Sequence, residues 1–313
     1  MKPILTAALS LLLASSPVAA EELTLPKPRP PLSHFPAEGK WIPPVSAAAG
    51  VIPGLGHLVL GEPQLAAFSL GAVAAPLLVG ALDQPPRAFT LVDYAFMPAW
   101  GLQLHEAHQV AREKIGNAGY AQPLVRQSPW ELFIAPFQWE QLSDGRIWST
   151  LGWDLLGALV FTLLLPLETS ASATDFGPMI MDAKSAELWG ITMTPGHAYL
   201  ANVAVGPLVY AGVGAWEEAT FRGVIQNELE RPLGPVGGAW AAGTLFSLSH
   251  RPTSFGQFAT RAWGGYLLGR LYQESGYDLK KAVAAHAYWD TLLMPVLALL
   301  PGRYNPLGFR FTF

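Results

Sequence analysis

The chain has 313 residues, 51% of them hydrophobic and only 13% charged, with a net charge of -4 and a mean hydropathy of +0.28. A soluble domain carries about 25% charged residues, so this composition predicts a polytopic membrane protein, and the lack of any basic run argues against nucleic-acid binding. There are no cysteines, which excludes disulfides, iron–sulfur clusters and thiolate zinc sites and leaves His, Asp and Glu as the only strong metal ligands.

Met1-Lys2-Pro3, a short apolar core from Ile4 to Leu13 and small residues up to Ala20 form the pattern of a cleaved secretory signal over residues 1–20. Residues 21–44 hold seven prolines and little apolar periodicity, and are expected to form an exposed, extended arm. Residues 45–61 are apolar but broken at Pro53-Gly54 and lead through Gly61-Glu62-Pro63 into the run Leu65 to Leu82. The pair predicts a tight helical hairpin with a bent or re-entrant first limb, His57 being packed on it. A third span is expected from about Phe89 to Leu104.

Residues 105–149 turn polar, with Arg112, Lys114, Arg126 and Arg146 and a Trp-rich stretch around Trp130 to Trp139. This loop is expected on the cytoplasmic side, touching the headgroup level. His105 and His108 sit at i and i+3, a spacing that suits a metal but lacks a third partner. Thr150 to Leu167 reads as the cleanest span. The acid-biased residues 168–198 fit the exported side, with His197 at the surface. Tyr199 to about Leu229, Pro235 to His250, Phe258 to Tyr272 and Lys281 to Leu300 complete about eight membrane segments, before a tail over residues 301–313. The expected class is therefore all-α, a transmembrane helix bundle. Its first membrane part covers residues 45–167 and its second 199–300, in the inner membrane of a bacterium.

Chemistry concentrates in the second part. Trp216-Glu217-Glu218-Ala219-Thr220-Phe221-Arg222 places three charges inside an apolar run, where each ionised side chain costs roughly 2.5 to 3.5 kcal/mol on insertion scales. Glu218 and Arg222, at i and i+4, share a helix face and can pair. Glu217 points about 100° away and has no local counter-charge, which makes it a candidate proton carrier. Phe246 to His250 ends one later helix, and His286 and Asp290 stand one turn apart on another. Counted from the hairpin turn at Arg231-Pro232 and Gly234, Glu217 and His250 come level at about 20 and 24 Å, whereas His286 falls roughly 10 to 15 Å below them unless the helices tilt or residues 274–280 climb into the membrane.

Glu217-Glu218-x-x-x-Arg222, Phe246-x-x-x-His250 and His286-x-x-x-Asp290, in that order and with these separations, resemble the three motifs of the CPBP family of intramembrane proteases. That family includes the CAAX prenyl endopeptidases and the bacteriocin-processing and immunity-type proteins. The resemblance covers about residues 199–300. It implies hydrolysis of a peptide bond at the membrane, with Glu217 and His250 activating a water and Glu218 and Arg222 orienting the carboxylate. His286 and Asp290 then hold the oxyanion, or His250 and His286 hold zinc if a metal is bound. Many members carry Asn where this chain has Asp290, and an aspartate donates to an oxyanion only when protonated. The implied partners are the lipid bilayer and a membrane-associated protein or peptide precursor, trimmed at a leader or C-terminal segment. Two alternatives are a non-catalytic scaffold or immunity protein, which has no physical reason to keep buried charges, and a proton-coupled transporter. The second is disfavoured by the lack of repeated halves.

Overall fold

The computed structural model describes residues 41–82, 91–164, 185–188, 191–297 and 310–312. The expected signal, most of the expected arm and His34 lie outside these residues.

The helices begin and end where the backbone chemistry dictates. Helix α1 (Ile42–Ala49) has prolines at its first turn, where a missing N–H costs nothing. Its first residues therefore leave the extended arm in which the proline count placed them. The chain breaks over Pro53-Gly54, Gly54 taking φ +80°, and resumes as α2 (Leu55–Val59) and α3 (Pro63–Leu82). This is the expected interrupted hairpin. Helix α4 (Leu91–Lys114) runs ten residues beyond Leu104, the expected end of the span, because the faces of His105, His108 and Arg112 are buried against protein. A capping box between Ser128 and Glu131 opens α5 (Pro129–Ile134). Then follow α6 (Trp139–Leu142) and α7 (Gly145–Leu164).

One departure from an all-helical chain lies at the far end. β1 (Ser185–Leu188), β2 (Ile191–Met193) and β3 (Arg310–Thr312) form a small antiparallel sheet in the order β2-β1-β3. Strands of three or four residues carry no periodic signal of their own, and the β1–β3 pairing joins residues as far apart in sequence as Glu187 and Arg310.

Helix α8 (Pro195–Thr220) starts at Thr194, whose hydroxyl caps His197 N–H, and passes through a π-helical turn at Phe221–Gln226 into α9 (Asn227–Ser249). α9 breaks at Gly234, φ 70° and ψ 173°, so it is two limbs joined at the expected hairpin turn. Pro195–Ser249 is the one helical run among the described residues long and apolar enough to cross a membrane by length and composition. Helices α10 (Phe255–Glu274) and α11 (Leu279–Leu297) complete the bundle.

Glycines set the helix spacing, as expected where packing rather than hydrophobic collapse drives association. A Cβ on Gly214 of α8 would lie 3.0 Å from Val283 O and 3.5 Å from His286 Cβ, so α8 and α11 nearly touch there. A Cβ on Gly243 of α9 would lie 2.7 Å from Tyr266 N and 2.8 Å from Ala262 O of α10. Helix α4 meets α8 in the same way, since a Cβ on Gly101 would lie 3.0 Å from Thr220 Oγ1 and from Trp216 Cβ.

A buried polar junction ties α4 and the following loop to the α8–α9 connection. Glu228 accepts from His108 Nε2 at 2.7 Å, from Arg231 at 2.6 Å and from Tyr120. Glu230 accepts from Gln122 at 2.8 Å, Gln226 at 2.7 Å, Gln273 at 2.6 Å and Tyr277 at 3.0 Å. Tyr277 accordingly titrates high, pushed up to about 12 by burial and then by the charge of Glu230.

Candidate active site

Four side chains follow at four-residue intervals from the end of α8 through the π turn into α9: Glu218, Arg222, Gln226 and Glu230. Arg222 donates to Glu218 Oε1 at 2.9 Å and, through Nη2, to Gly265 O of α10 at 2.7 Å. Gln226 donates to Gly269 O at 3.2 Å, one turn further along α10. Gly269 makes room for the amide, since a Cβ there would lie 2.6 Å from Gln226 Oε1, and Gly265 lets α10 come against α9, since a Cβ there would lie 2.8 Å from Gly243 Cα. The wide π turn carries Arg222, and such turns recur at functional sites because they re-aim side chains that an α turn would stack.

Glu218 and Arg222 are both 0% exposed, as the i, i+4 spacing required. Their shared oxygen has a second partner. His286 Nδ1 lies 2.7 Å from Glu218 Oε1, so α11 is joined to α8 through the same atom that holds Arg222. His286 therefore reaches the level of the glutamates, which decides between the alternatives that the residue count left open. Glu230 is bonded to Gln273 and Tyr277, so the α10–α11 turn is level with the first limb of α9, and the π turn consumes residues without the rise of an α turn.

Glu217 lies between two imidazoles. Its Oε1 is 3.7 Å from His250 Nε2 and its Oε2 is 3.5 Å from His286 Nε2. Asp290 Oδ2 is 3.7 Å from the same His286 nitrogen. Glu217, His286 and Asp290 are buried, at 7%, 7% and 9% exposure, whereas the His250 side chain is 34% exposed at the end of α9. The constellation thus has a closed floor and one open wall at His250.

Second partners orient each ring. His250 Nδ1 donates to Phe246 O at 2.8 Å, which leaves Nε2 as the acceptor facing Glu217. His286 Nδ1–H donates to Glu218, which turns Nε2 toward Glu217 and Asp290. The Phe246 ring is the packing centre: 4.5 Å from the His250 ring, 5.9 Å edge-on to His286 and 5.0 Å from the Arg222 guanidinium. All six residues nominated from the sequence, Glu217, Glu218, Arg222, His250, His286 and Asp290, therefore come together.

The other described histidines do not join them. His105 Nδ1 is bonded by Gln109 at 3.1 Å and His108 by Glu228, so the i, i+3 pair is taken up in packing and in the polar junction. His57 packs against Ser69 at 3.2 Å, and His197 is exposed at its helix start. As for zinc, the Nε2 atoms of His250 and His286 do face one carboxylate. Among the described residues, however, no group of three or more His, Asp or Glu side chains is arranged to hold a metal ion.

Sequence reasoning overlooked Asp154. It is the one ionisable residue between Arg146 and Glu168, midway along the span read as cleanest, and its carboxylate lies against Gly264 of α10. A single acid amid nineteen or so apolar and small positions was the available signal.

Residues 199–292 match the family model described as Rce1-like, type II CAAX prenyl endopeptidase Rce1-like. All six residues of the constellation fall within the matched stretch, and the match bears out the resemblance to the CPBP intramembrane proteases read from the three motifs. No curated protein and no solved structure matches the chain.

Proposed function

Taking the family match over residues 199–292 as the premise, we propose that this chain is a multi-pass intramembrane endopeptidase that cleaves a membrane-associated protein precursor by a water activated between Glu217 and His250. The observation that carries the reading is the position of one buried carboxylate between two oppositely placed imidazole nitrogens, at 3.7 and 3.5 Å. Both separations exceed a direct hydrogen bond and suit bridging by water.

His250 Nε2, fixed as an acceptor by the Nδ1 bond to Phe246 O, and Glu217 Oε1 each take one hydrogen of that water. Glu217 removes its proton as the oxygen attacks the scissile carbonyl carbon. The C–N bond then breaks, and the protonated Glu217 returns the proton to the leaving amine, so a carboxylic acid and an amine result. His286 Nε2 faces the same space, and its N–H donates to the developing oxyanion while Glu218 holds its other nitrogen. Asp290, 3.7 Å away, adds a second donor in its protonated form.

The bilayer setting is supported by the outward faces. Leu155, Leu156 and Leu159 of α7 and Leu200, Val203 and Leu208 of α8 are all exposed, as lipid-facing positions of about eight membrane segments would be. An N-terminal export signal and an inner-membrane location belong to the same reading, with the open wall at His250 as the entry for substrate.

The test is cleavage of co-expressed membrane precursors by purified wild type beside Glu217→Gln and His250→Ala. Loss of an acid–base group lowers turnover by about 10²- to 10⁴-fold. Cleavage at wild-type rates in both variants would remove these residues from the chemistry.

A further inference from the structure

The open wall at His250 lies at the end of a helical hairpin that carries no acid. Between Glu230 and Glu274 the sequence has no aspartate or glutamate, while Arg251 and Arg261 stand at the His250 end. Arg251 directly follows His250 with φ 48°, the left-handed conformation that glycine takes with least strain where a helix stops. Phe255, exposed and stacked on Phe258 at 6.0 Å, adds apolar surface to the same end.

Arg261 ties this end to the constellation. Its Nη1 donates at 3.1 Å to the backbone oxygen of His250, the residue whose Nε2 faces Glu217 at 3.7 Å. Arg261 precedes Gly264 and Gly265 by one turn of α10, so it projects between α7, which meets Gly264, and α9, which meets Gly265. No described carboxylate lies within 4.0 Å of the Arg261 or the Arg251 guanidinium. A guanidinium carries five N–H donors in a planar fork that matches a carboxylate, and with Nη1 turned to His250 O the edge formed by Nη2 and Nε has no described partner. The positive-inside rule gives no reason for these cations. The Arg231 end of the hairpin meets His108, Tyr120 and Gln122 of the segment expected in the cytoplasm, and His250 lies at the opposite end of its limb.

We propose that Arg261 is a substrate-binding residue of this site: its guanidinium receives a carboxylate that the precursor peptide carries within a few residues of the scissile bond. The guanidinium and the water-activating pair meet on one residue, His250, and an extended peptide spans at most about 3.3 to 3.6 Å per residue, so a short stretch of chain bridges the two. Arg251 adds positive potential with no described counter-charge. The proposal rests on the hydrolytic reading for the fate of the peptide, but the selection of carboxylates does not.

The probe is a mixture of N-dodecanoyl apolar tetrapeptides, prepared in parallel as C-terminal acids, as C-terminal amides, as amides ending in glutamate, and as aminoethylamides ending in an ammonium group. Each set is passed over immobilised full-length Glu217→Gln in detergent, which binds without turnover, and the retained fraction is measured by mass spectrometry. One or both carboxylate sets are retained roughly tenfold over the neutral amides, as a charge-assisted contact gives. Retention of the acids assigns the carboxylate to the chain end, and retention of the glutamate amides assigns it to a side chain. Adding Arg261→Gln abolishes the preference, Arg261→Lys keeps part of it, and Arg261→Glu inverts it toward the ammonium set, an inversion that misfolding does not produce. Equal retention of all sets overturns the proposal, as does a carboxylate preference that survives both Arg261→Gln and Arg261→Glu. Phosphatidylglycerol that copurifies with Glu217→Gln and is lost on adding Arg261→Gln, with no preference among the peptides, gives the guanidinium to lipid and overturns it too. If the wild type cleaves no precursor, the hydrolytic reading fails while the retention series still decides whether Arg261 binds carboxylates.

Discussion

His286 Nδ1 lies 2.7 Å from Glu218 Oε1, on the oxygen that also receives Arg222 at 2.9 Å. One carboxylate oxygen therefore fixes the orientation of a ring on α11, the position of a guanidinium on the π turn and, through Gly265, the approach of α10. The residue beside it, Glu217, stays outside these direct hydrogen bonds and faces the two imidazoles. This division of labour between adjacent glutamates follows from the 100° step between neighbours on a helix.

Glu218→Gln removes the charge without changing the shape. It leaves a fully buried guanidinium uncompensated, so a stability loss of about 3 to 5 kcal/mol is expected, together with loss of cleavage. Thermal melting in detergent measures the first. Arg222→Lys is expected to behave as a loss as well, because an ammonium lacks the rigid fork that reaches Glu218 and Gly265 at once.

Gly243→Ala and Gly265→Ala test the α9–α10 crossing. A methyl on Gly243 meets backbone at 2.7 Å, and one on Gly265 lies 2.8 Å from Gly243 Cα and 3.4 Å from Arg222 Nη2. Each change should cost about 1 to 3 kcal/mol by overpacking. In both variants the methyl meets the backbone of the facing helix, so the two should melt below the wild type by similar amounts. A melting temperature unchanged in either one would contradict this.

The acid–base route uses side chains alone. Treatment of the purified protein with a strong chelator is expected to leave cleavage unchanged, with less than one equivalent of bound metal by elemental analysis. Loss of activity on chelation, restored by zinc, would instead place a metal at His250 and His286.

Asp144 joins the start of α7 to the start of α11. Burial opposes its charge, but hydrogen bonds from Lys281 and from the side chain and backbone of Arg146 outweigh that and hold its carboxyl well below the usual carboxylate range. Its folded-state value being depressed, the stability it contributes is fully present above the unfolded value of about 3.9. It is lost as pH falls from there through the folded value. Asp144→Asn should therefore melt below the wild type at pH 7, and the gap should narrow below about pH 4. A gap that is constant with pH would refute the assignment.

Much of this molecule was legible without coordinates, because it follows from local rules. The 3.6-residue period pairs Glu218 with Arg222 and His286 with Asp290, and the Pro-Gly step at 53–54 and the turn near Gly234 end helices by backbone conformation alone. Other features belong to the tertiary structure, because they depend on partners distant in sequence and on how closely helices approach. The height of His286 is set by the π turn and by the bonds from Glu230 to Gln273 and Tyr277. The sharing of Glu218 exists because Gly214 lets α11 come against α8. The place of Asp154 was decided by packing on α10, where Gly264 leaves room, and periodicity within one apolar helix has no means of specifying which neighbour it will meet.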